Sequence, residues 1–180
     1  MDFDKVLDAR HSVRSFSGAK LKEKEVFAVL DAALKTPIAG NVCILKMVLV
    51  DDKIKIEEIA KACPESKFIK NVSHLFIVCS ELKKAKNMYG GFGEHYAAQQ
   101  AGAAIENMLL KAVDLGLASC WIGGFDESAV KRIFEIPEDY RIEAILPLGK
   151  ELKPSSLKKK KTDLKEVLRY NKFSEKKKFG

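Results

Sequence analysis

The sequence predicts an α+β or mixed α/β fold, a sandwich built around one sheet of four or five strands. Long stretches with helical periodicity alternate with short runs rich in branched apolar residues. The chain has 180 residues, of which 47% are hydrophobic and 32% are charged, and this is enough for one domain with a substantial core. Neither an internal repeat nor a second domain is evident along the sequence.

Three helices are predicted in the first half of the chain, at residues 3–10, 21–35 and 55–63. The second has apolar residues at the i, i+3, i+4 spacing of an amphipathic helix. It ends before Pro37, because the residue that precedes a proline avoids the helical region. Pro64 ends the third helix in the same way.

Four strands are predicted from short runs of branched apolar residues, at 44–51, 74–80, 117–123 and 141–149. The second run, HLFIVCS, is apolar almost throughout, which indicates a strand buried on both faces. The sequence AGNV, between the second helix and the first strand, predicts a turn.

The predicted helix 93–115 is the most informative element. Alanine and glycine crowd its first half and allow another backbone to approach closely, while its second half is apolar over much of its circumference. Such a helix is central or is buried on two sides. Gly116 is a suitable residue to end it. Two further helices are predicted, one that begins after Asp126 and ends at Ile136-Pro137, and a short one at 163–170.

Several classes of protein are excluded by composition and spacing. The four cysteines form no CxxC pair and the three histidines have no metal-ligand spacing, so no metal site is expected. No apolar run reaches the length needed to cross a membrane. The N-terminal residues alternate in charge and contain no signal-peptide core. We therefore expect a cytoplasmic protein without a membrane partner.

The positive charge is concentrated in the tail. Residues 150–180 contain 12 Lys/Arg and 4 Asp/Glu, a net charge of +8, whereas the preceding residues carry a net charge of −1. A neutral body with a basic tail is a weak indication of nucleic-acid binding. The lysines at 158–161 are either solvated or reach an anionic ligand.

The sequence RHSVRSF, residues 10–16, raises the first functional hypothesis. In an extended chain, alternate side chains share one face, so Arg10, Ser12 and Arg14 point the same way. Two guanidinium groups and a hydroxyl make a good receptor for a phosphate. The alternative interpretation is a solvated basic corner between a helix and a strand.

A pair of glycines in WIGGF raises the second hypothesis. Gly123 and Gly124 follow a predicted strand and precede a helix, where glycines let backbone amides approach a flat ligand. A plain strand-to-helix turn is the alternative. No strand is followed by GxGxxG, and the phosphate-binding sequence GxxxxGK[ST] is absent.

With these motifs in hand, the chain resembles the nitroreductase family of FMN-dependent oxidoreductases over nearly its whole length. The resemblance rests on RHSVRSF, on AGNV, on the block that runs from AAIENMLL to ILPLG, and on the tail LKKKKTDLKEVLRYN. It implies a three-layer α-β-α sandwich with one mixed, mostly antiparallel sheet of four strands. A strand or arm from the partner's C-terminus would add to this sheet.

The resemblance also implies an activity and an assembly. Members are homodimers that hold FMN in the dimer interface and pass electrons from NADH or NADPH to small organic acceptors, such as quinones or nitroaromatics. The implied mechanism is ping-pong and assigns no side chain a catalytic role. Residues 1–150 would form the FMN-binding core, and residues 151–180 would form a basic arm that wraps the partner subunit.

The resemblance carries over to particular residues. Arg10, Ser12 and Arg14 would hold the FMN phosphate and ribityl chain, with His11 lending backbone contacts. Asn41 would reach the flavin from the partner chain.

The flavin edge and the tail complete the implied site. The amides of Gly123 and Gly124, which follow Ile122, would face the flavin N5 and O4 edge. Lys159 and Lys161 occupy the tail positions where the family usually has basic residues on the phosphate, a role that needs no nucleic acid.

The chain departs from the family pattern in three places. Cys43, Ile44 and Leu45 stand where many members have Gln-Pro-Trp, and Gln99-Gln100 stands where members often have an acid. The segment between residues 80 and 94 is short, which implies a reduced helical cover over the site. Two alternatives stay open: an FMN-binding protein of this fold with another reaction, such as reductive dehalogenation or flavin breakdown, and a binding module whose lysine tail holds nucleic acid.

Overall fold

Helices and strands alternate along the part of the chain that the computed structural model describes, residues 2–153 and 162–174. The helices are α1 (Phe3–Ala9), α2 (Glu23–Ala33), α3 (Lys53–Ala62), α4 (Leu82–Tyr89), α5 (Gly93–Asp114), α6 (Glu127–Phe134) and α7 (Leu164–Val167). The strands are β1 (Leu45–Val50), β2 (His74–Glu81), β3 (Ala118–Ser119) and β4 (Tyr140–Gly149). Short 3-10 turns occupy Ala39–Asn41, Pro64–Asn71 and Gly90–Phe92.

The four strands form one sheet in the order β1-β2-β4-β3. Each pairing among them is antiparallel, with Val48 opposite Ile77 and Ile77 opposite Ile145 at its centre. The register between β2 and β4 shifts once, between Val78 and Cys79. The two central strands, β2 and β4, are thus paired on both edges.

Each face of the sheet carries its own core, because alternate residues of a strand point to opposite faces. On β2, Leu75 and Ile77 join a cluster with residues of α3 and α6. Phe76 and Val78 join another cluster, formed with α2 and α5. Two helical layers enclosing one sheet confirm the three-layer α+β sandwich that the sequence predicts.

Helix α5 is the longest element, with 22 residues. Its face with Ala101, Ile105 and Met108 packs against α2 and the sheet in the second cluster. The opposite stripe, which includes Gln99 and Ala103, is exposed or partly exposed. The predicted central helix is therefore present, and one side of it remains uncovered within a single chain.

Two predicted elements are shorter in the structure. The strand predicted at 117–123 is reduced to β3 and one isolated bridge from Ile122 to Ile145, because Pro147 stands opposite Cys120 between them and has no amide hydrogen to donate. The helix predicted at 163–170 has a single turn, α7, after which Leu168 is extended.

Helix α4 lies where the sequence predicts only a short connection. Half of its eight residues are apolar, and Ala85 is the one it buries. It is held in place by Gly93 of α5, since a Cβ atom on Gly93 would lie 2.6 Å from the carbonyl carbon of Ala85. The sequence implies a reduced helical cover at 80–94, and the structure has one short helix, α4, in this segment. In the described part of the chain, no helix has the length and apolarity to cross a membrane.

Candidate functional site

The segment RHSVRSF leaves α1 in an extended conformation and lies beside the ends of β3 and β4. The amide of Val13 donates to the carbonyl of Ser119 at 3.0 Å, and the amide of Ser17 donates to the carbonyl of Lys150 at 2.9 Å. Phe16 forms an antiparallel bridge with Glu151. Val13 and Phe16 are buried and anchor the segment in the core. These contacts fix where the polar side chains between them lie.

The charges of Arg10 and Arg14 and the hydroxyl of Ser12 all act on the thiol of Cys120. Burial raises the pKa of this thiol, while the charge of Arg14, a hydrogen bond with Ser12 and the charge of Arg10 all act to lower it. The three predicted side chains therefore lie close to one buried atom at the end of β3. A cluster of two guanidinium groups and one hydroxyl can bind a dianion such as a phosphate.

Two acids that the sequence analysis did not single out hold this cluster. Glu106 of α5 lies 3.3 Å from Nε of Arg10. Nδ1 of His11 donates to the carbonyl of Ala9 at 2.9 Å, and Nε2 lies 3.3 Å from the carboxylate of Glu151. The imidazole is thus engaged within the chain. Glu106 had a signal in the sequence, as an acid inside a run of small and apolar residues, whereas the position of Glu151 depends on the fold.

Residues 122–124 leave the sheet beside this cluster. Ile122 is buried and exchanges two hydrogen bonds of 3.0 Å with Ile145. Gly123 and Gly124 are exposed, and a Cβ atom on either would meet no atom within 4 Å. Their backbone is therefore open to a ligand. It follows Cys120 by three residues, so the two sequence motifs lie in the same region of the structure.

Gly124 also borders a groove of about 710 Å³ between α3 and α6. Its walls include Pro64, Phe125 and Ile133, with Glu58 and Lys61 among its charged residues. The glycine pair therefore lies at the edge of a cleft that is large enough for a small molecule.

Asn41 lies in the turn between α2 and β1. Both Gly40 and Asn41 have left-handed backbone angles, with φ of 53° and 58°. Gly40 packs against the hydroxyl of Tyr89 so closely that a Cβ atom would overlap it. Asn41 itself is exposed. No described contact joins Asn41 to the arginine cluster of its own chain.

Two lysines of the tail and the residues that replace the family's Gln-Pro-Trp remain to be located. Lys159 and Lys161 lie outside the described residues. Ile44, which stands in the place of the family's proline, is buried in a small cluster with Ala85 and Ala97. Cys43 is exposed. The chain therefore uses this place for packing against α4 and α5.

Among the described residues, no group of three or more histidine, cysteine, aspartate or glutamate side chains could hold a metal ion.

Comparisons with known proteins identify the family of the chain. Residues 7–150 match the profile of the Nitroreductase family, and the chain belongs to this family of oxidoreductases. A relative from Archaeoglobus fulgidus, provisionally named as an NADH dehydrogenase/NAD(P)H nitroreductase, is 28% identical over 149 residues, which are 81% of this chain and 83% of the relative. The FMN reductase (NADPH) of Bacillus subtilis is 24% identical over 76% of this chain and 59% of its own length.

The fold is also that of solved structures in the family. The NADPH:FMN oxidoreductase of Vibrio harveyi, solved in complex with NAD+, superposes with a TM-score of 0.87 at 18% identity. The superposition covers 97% of this chain and 79% of the other. At 18% identity, this structural similarity establishes the fold alone.

Proposed function

We propose that this protein is an FMN-dependent oxidoreductase that passes two electrons from NADH or NADPH to a small organic acceptor. The observation that carries the proposal is the proximity of two motifs: the charges of Arg10 and Arg14 and the hydroxyl of Ser12 act on Cys120, three residues before the open backbone of Gly123 and Gly124. The names of the relatives from Bacillus subtilis and Vibrio harveyi support FMN and NADPH as their ligands.

The residues present fit FMN. A terminal phosphate carries two negative charges, which two guanidinium groups and a hydroxyl can neutralise and orient. His11 adds only backbone contacts in this proposal, because its imidazole is already engaged by Ala9 and Glu151. Lys159 and Lys161 are proposed to reach the same phosphate from the tail. We expect FMN and not FAD, since the sequence has no dinucleotide fingerprint.

The backbone at Ile122–Gly124 is proposed to face the redox-active edge of the cofactor. Bound FMN would supply the redox chemistry, because it accepts two electrons and releases them to a second substrate. The amides of Gly123 and Gly124 would donate hydrogen bonds where negative charge accumulates on reduction. The missing side chains matter here, because any Cβ would narrow the space above the backbone. No side chain has to act as nucleophile or base.

A homodimer is proposed to complete the site. Asn41 is exposed and has no described contact with the cluster of its own chain, so it is suited to contact the cofactor of a second copy. The uncovered stripe of α5 provides a surface of small residues for close packing between two copies. Exposed apolar side chains on α1, among them Phe3 and Leu7, extend this surface. An arm formed by residues 151–180 is proposed to lie on the partner.

The overall reaction balances without any protein side chain. NAD(P)H, one proton and a quinone give NAD(P)+ and a hydroquinone. The donor and the acceptor would use the same cofactor face in turn, so the donor product leaves before the acceptor enters. Double-reciprocal plots at several acceptor concentrations should then be parallel, whereas intersecting lines would indicate a ternary complex and exclude this scheme.

Anaerobic stopped-flow spectroscopy tests the proposal directly. The purified protein should be yellow, release FMN on denaturation, and lose its flavin absorbance when mixed with NADH or NADPH. A colourless protein that does not take up added FMN would refute the cofactor assignment. A yellow protein that neither nucleotide bleaches would favour another reaction on the same fold, such as reductive dehalogenation or flavin breakdown.

A further inference from the structure

The groove between α3 and α6 borders the proposed flavin edge, because Gly124 is one of its lining residues. Two contacts join the helices at the ends of the groove. The amide of Asp126 donates to the carbonyl of Ala62 at 2.8 Å, and Nζ of Lys55 donates to the carbonyl of Ile133 at 3.2 Å. The volume of about 710 Å³ between the helices is therefore fixed by the fold, and it is within the range of small-molecule sites.

This groove belongs to the helical layer on the other side of the sheet from the surface proposed for the second copy. Helices α3 and α6 pack on one face of the sheet, whereas α2 and α5 pack on the opposite face. Packing between two copies along the uncovered stripe of α5 therefore does not use the walls of the groove.

The lining of the groove includes flat, apolar surface. Pro64, Phe125 and Ala129 contribute to it. Phe125 and Ala129 are partly buried against the core of this layer, which fixes their positions. Surfaces of this kind suit a planar and uncharged ring, such as the adenine base of a nucleotide.

The charged side chains of the lining are mostly acidic. Among the described residues that line the groove, three are acids and one is a lysine. Glu58 lies 3.4 Å from Nζ of Lys55, and Asp126 accepts from the amide of Ala129 at 3.0 Å. Glu65 is exposed and has no hydrogen-bond or ion-pair partner in the described part of the chain. A carboxylate can accept hydrogen bonds from the hydroxyls of a ribose, but it repels a phosphate at the same place.

We propose that the groove binds the adenosine half of the electron donor, and that its acids make NADH the preferred donor over NADPH. The inference rests on the proposed function in one respect, because it requires a reduced nicotinamide at the flavin beside Gly123 and Gly124. The dinucleotide passes Gly124 into the groove, where Lys61 is suited to the pyrophosphate and Phe125 to the adenine. The 2′-phosphate of NADPH meets Glu65 there, without a second lysine or arginine in the described lining to neutralise it.

Titration calorimetry with ADP-ribose and 2′-phospho-ADP-ribose tests the groove on the protein as purified. These molecules are the parts of the two donors that lack the nicotinamide, so their binding does not depend on the flavin face. ADP-ribose should bind about tenfold more tightly than its 2′-phosphate, because Glu65 repels the added charge. Glu65→Lys should reverse this preference, and Glu65→Gln, which removes the charge at nearly constant size, should fall between the variant and the parent.

Glu57→Lys is the matched control. It makes the same change in net charge on the exposed side of α3, outside the lining of the groove, and should leave the preference unchanged. The melting temperatures of the Glu65 variants should equal that of the parent, since this side chain is exposed and unpaired. A parent that binds neither molecule, or both equally, would overturn the proposal. A preference that survives in Glu65→Lys would overturn it as well.

Stopped-flow bleaching of the flavin connects the groove with the reaction. The parent should be bleached faster by NADH than by NADPH at equal concentration, and Glu65→Lys should raise the rate with NADPH relative to that with NADH by about tenfold. The donor 1-methyl-1,4-dihydronicotinamide carries neither phosphate nor adenosine, so its rate should be the same in the parent and in Glu65→Lys. An equal change with all three donors would assign the effect to the flavin and overturn the proposal.

The failure of the proposed function would give a different result. A protein that prefers ADP-ribose to its 2′-phosphate through Glu65, but holds no flavin that a dihydronicotinamide can reduce, would retain the groove as a site and remove the oxidoreductase assignment. A flavoprotein that NADH and NADPH bleach at equal rates, in the parent and in Glu65→Lys alike, would retain the function and remove the site.

Discussion

At the scale of single residues, the arginine cluster shows how a local pattern becomes a site. The alternation of side chains in RHSVRSF predicts a common face for Arg10, Ser12 and Arg14, and in the structure the charges of both arginines and the hydroxyl of Ser12 act on the thiol of Cys120. The pattern did not predict the two acids, Glu106 and Glu151, that contact Arg10 and His11 in this segment. Glu106 and Glu151 are distant in sequence, and only the packing of α5 and the end of β4 brings them near.

Replacing either arginine by alanine should deplete the protein of flavin. Removing one cation that faces a desolvated phosphate costs about 2–5 kcal/mol of binding free energy. Arg10→Ala and Arg14→Ala should therefore be purified mostly colourless and should bind added FMN much more weakly in fluorescence titrations. Arg132→Ala, on the exposed side of α6, is the control and should remain yellow. Full flavin occupancy in both cluster variants would show that the phosphate lies elsewhere.

The four cysteines should differ in their rates of thiol labelling. Burial raises the pKa of Cys63 to about 11 and that of Cys79 to about 12, and burial also raises the pKa of Cys120. At pH 8, a thiol with a pKa of 11 is a thiolate in only about one molecule in a thousand, and the thiolate is the reactive form. Ellman's reagent should thus label the exposed Cys43 rapidly and the other three slowly.

Mass spectrometry of the labelled protein identifies the site. Cys43→Ser should lose the fast phase, and unfolding in guanidinium should expose all four thiols. Fast labelling at Cys120 would mean that the two arginines outweigh burial at this position.

At the scale of elements, helix α4 depends on one glycine in α5. A Cβ atom on Gly93 would lie 2.6 Å from both the carbonyl carbon and the carbonyl oxygen of Ala85, and 2.7 Å from the amide nitrogen of Lys86. These are backbone atoms, which cannot rotate away. The close approach of the two helices therefore requires glycine.

The substitution Gly93→Ala should lower the free energy of unfolding by about 1–3 kcal/mol, the usual cost of overpacking. Gly91→Ala is a close control, because a Cβ atom there would meet nothing within 4 Å. It should change the stability by no more than about 0.5 kcal/mol. Urea denaturation followed by circular dichroism measures both values. Equal stability of the two variants would show that α4 moves freely relative to α5.

The periodicity of the sequence predicted the long helices and strands well. The two short elements, α4 and β3, were harder to predict because their bounds depend on contacts with other parts of the chain. Helix α5 and strands β1, β2 and β4 follow from runs whose side chains face a core, and their predicted bounds lie within two residues of the observed ones. Helix α4 has the helical pattern Leu82, Ala85 and Tyr89, but this pattern spans only eight residues, and Ala85 is the one residue that the helix buries. Strand β3 is short because Pro147 stands opposite Cys120 and has no amide hydrogen to donate. Which residue a strand pairs with is not contained in its own local pattern.

At the scale of the whole molecule, residues 150–152 connect the sandwich with the tail. Leu152 donates its amide to the carbonyl of Ser15 at 2.9 Å, and Lys150 accepts from Ser17. The pairing therefore extends slightly past residue 150. Beyond it, Leu164, Val167 and Phe173 are exposed apolar residues on or near α7. An exposed apolar group of this size is expected to be covered in the assembled protein.

Removing residues 154–180 should weaken both the proposed dimer and flavin binding. This truncation keeps the pairing of residues 150–152, so its effect reports the arm alone. Light scattering measures the assembly, and flavin absorbance measures occupancy. A chain that lacks only residues 175–180 keeps α7 and should behave like the parent. If the longer truncation stays dimeric and fully yellow, the arm has no part in the interface or in the site.

The pairing of residues 13–17 with both β3 and the end of β4 has a consequence for biosynthesis. His11 meets Glu151 across 140 positions of sequence, and Val13 can bind Ser119 only after that residue has been made. A growing chain on the ribosome presents residues 10–17 early, but Ser119 and Glu151, which fix this segment, emerge much later. The proposed phosphate receptor is therefore assembled after most of the sandwich has been translated, and flavin capture would be a late event in the maturation of the polypeptide.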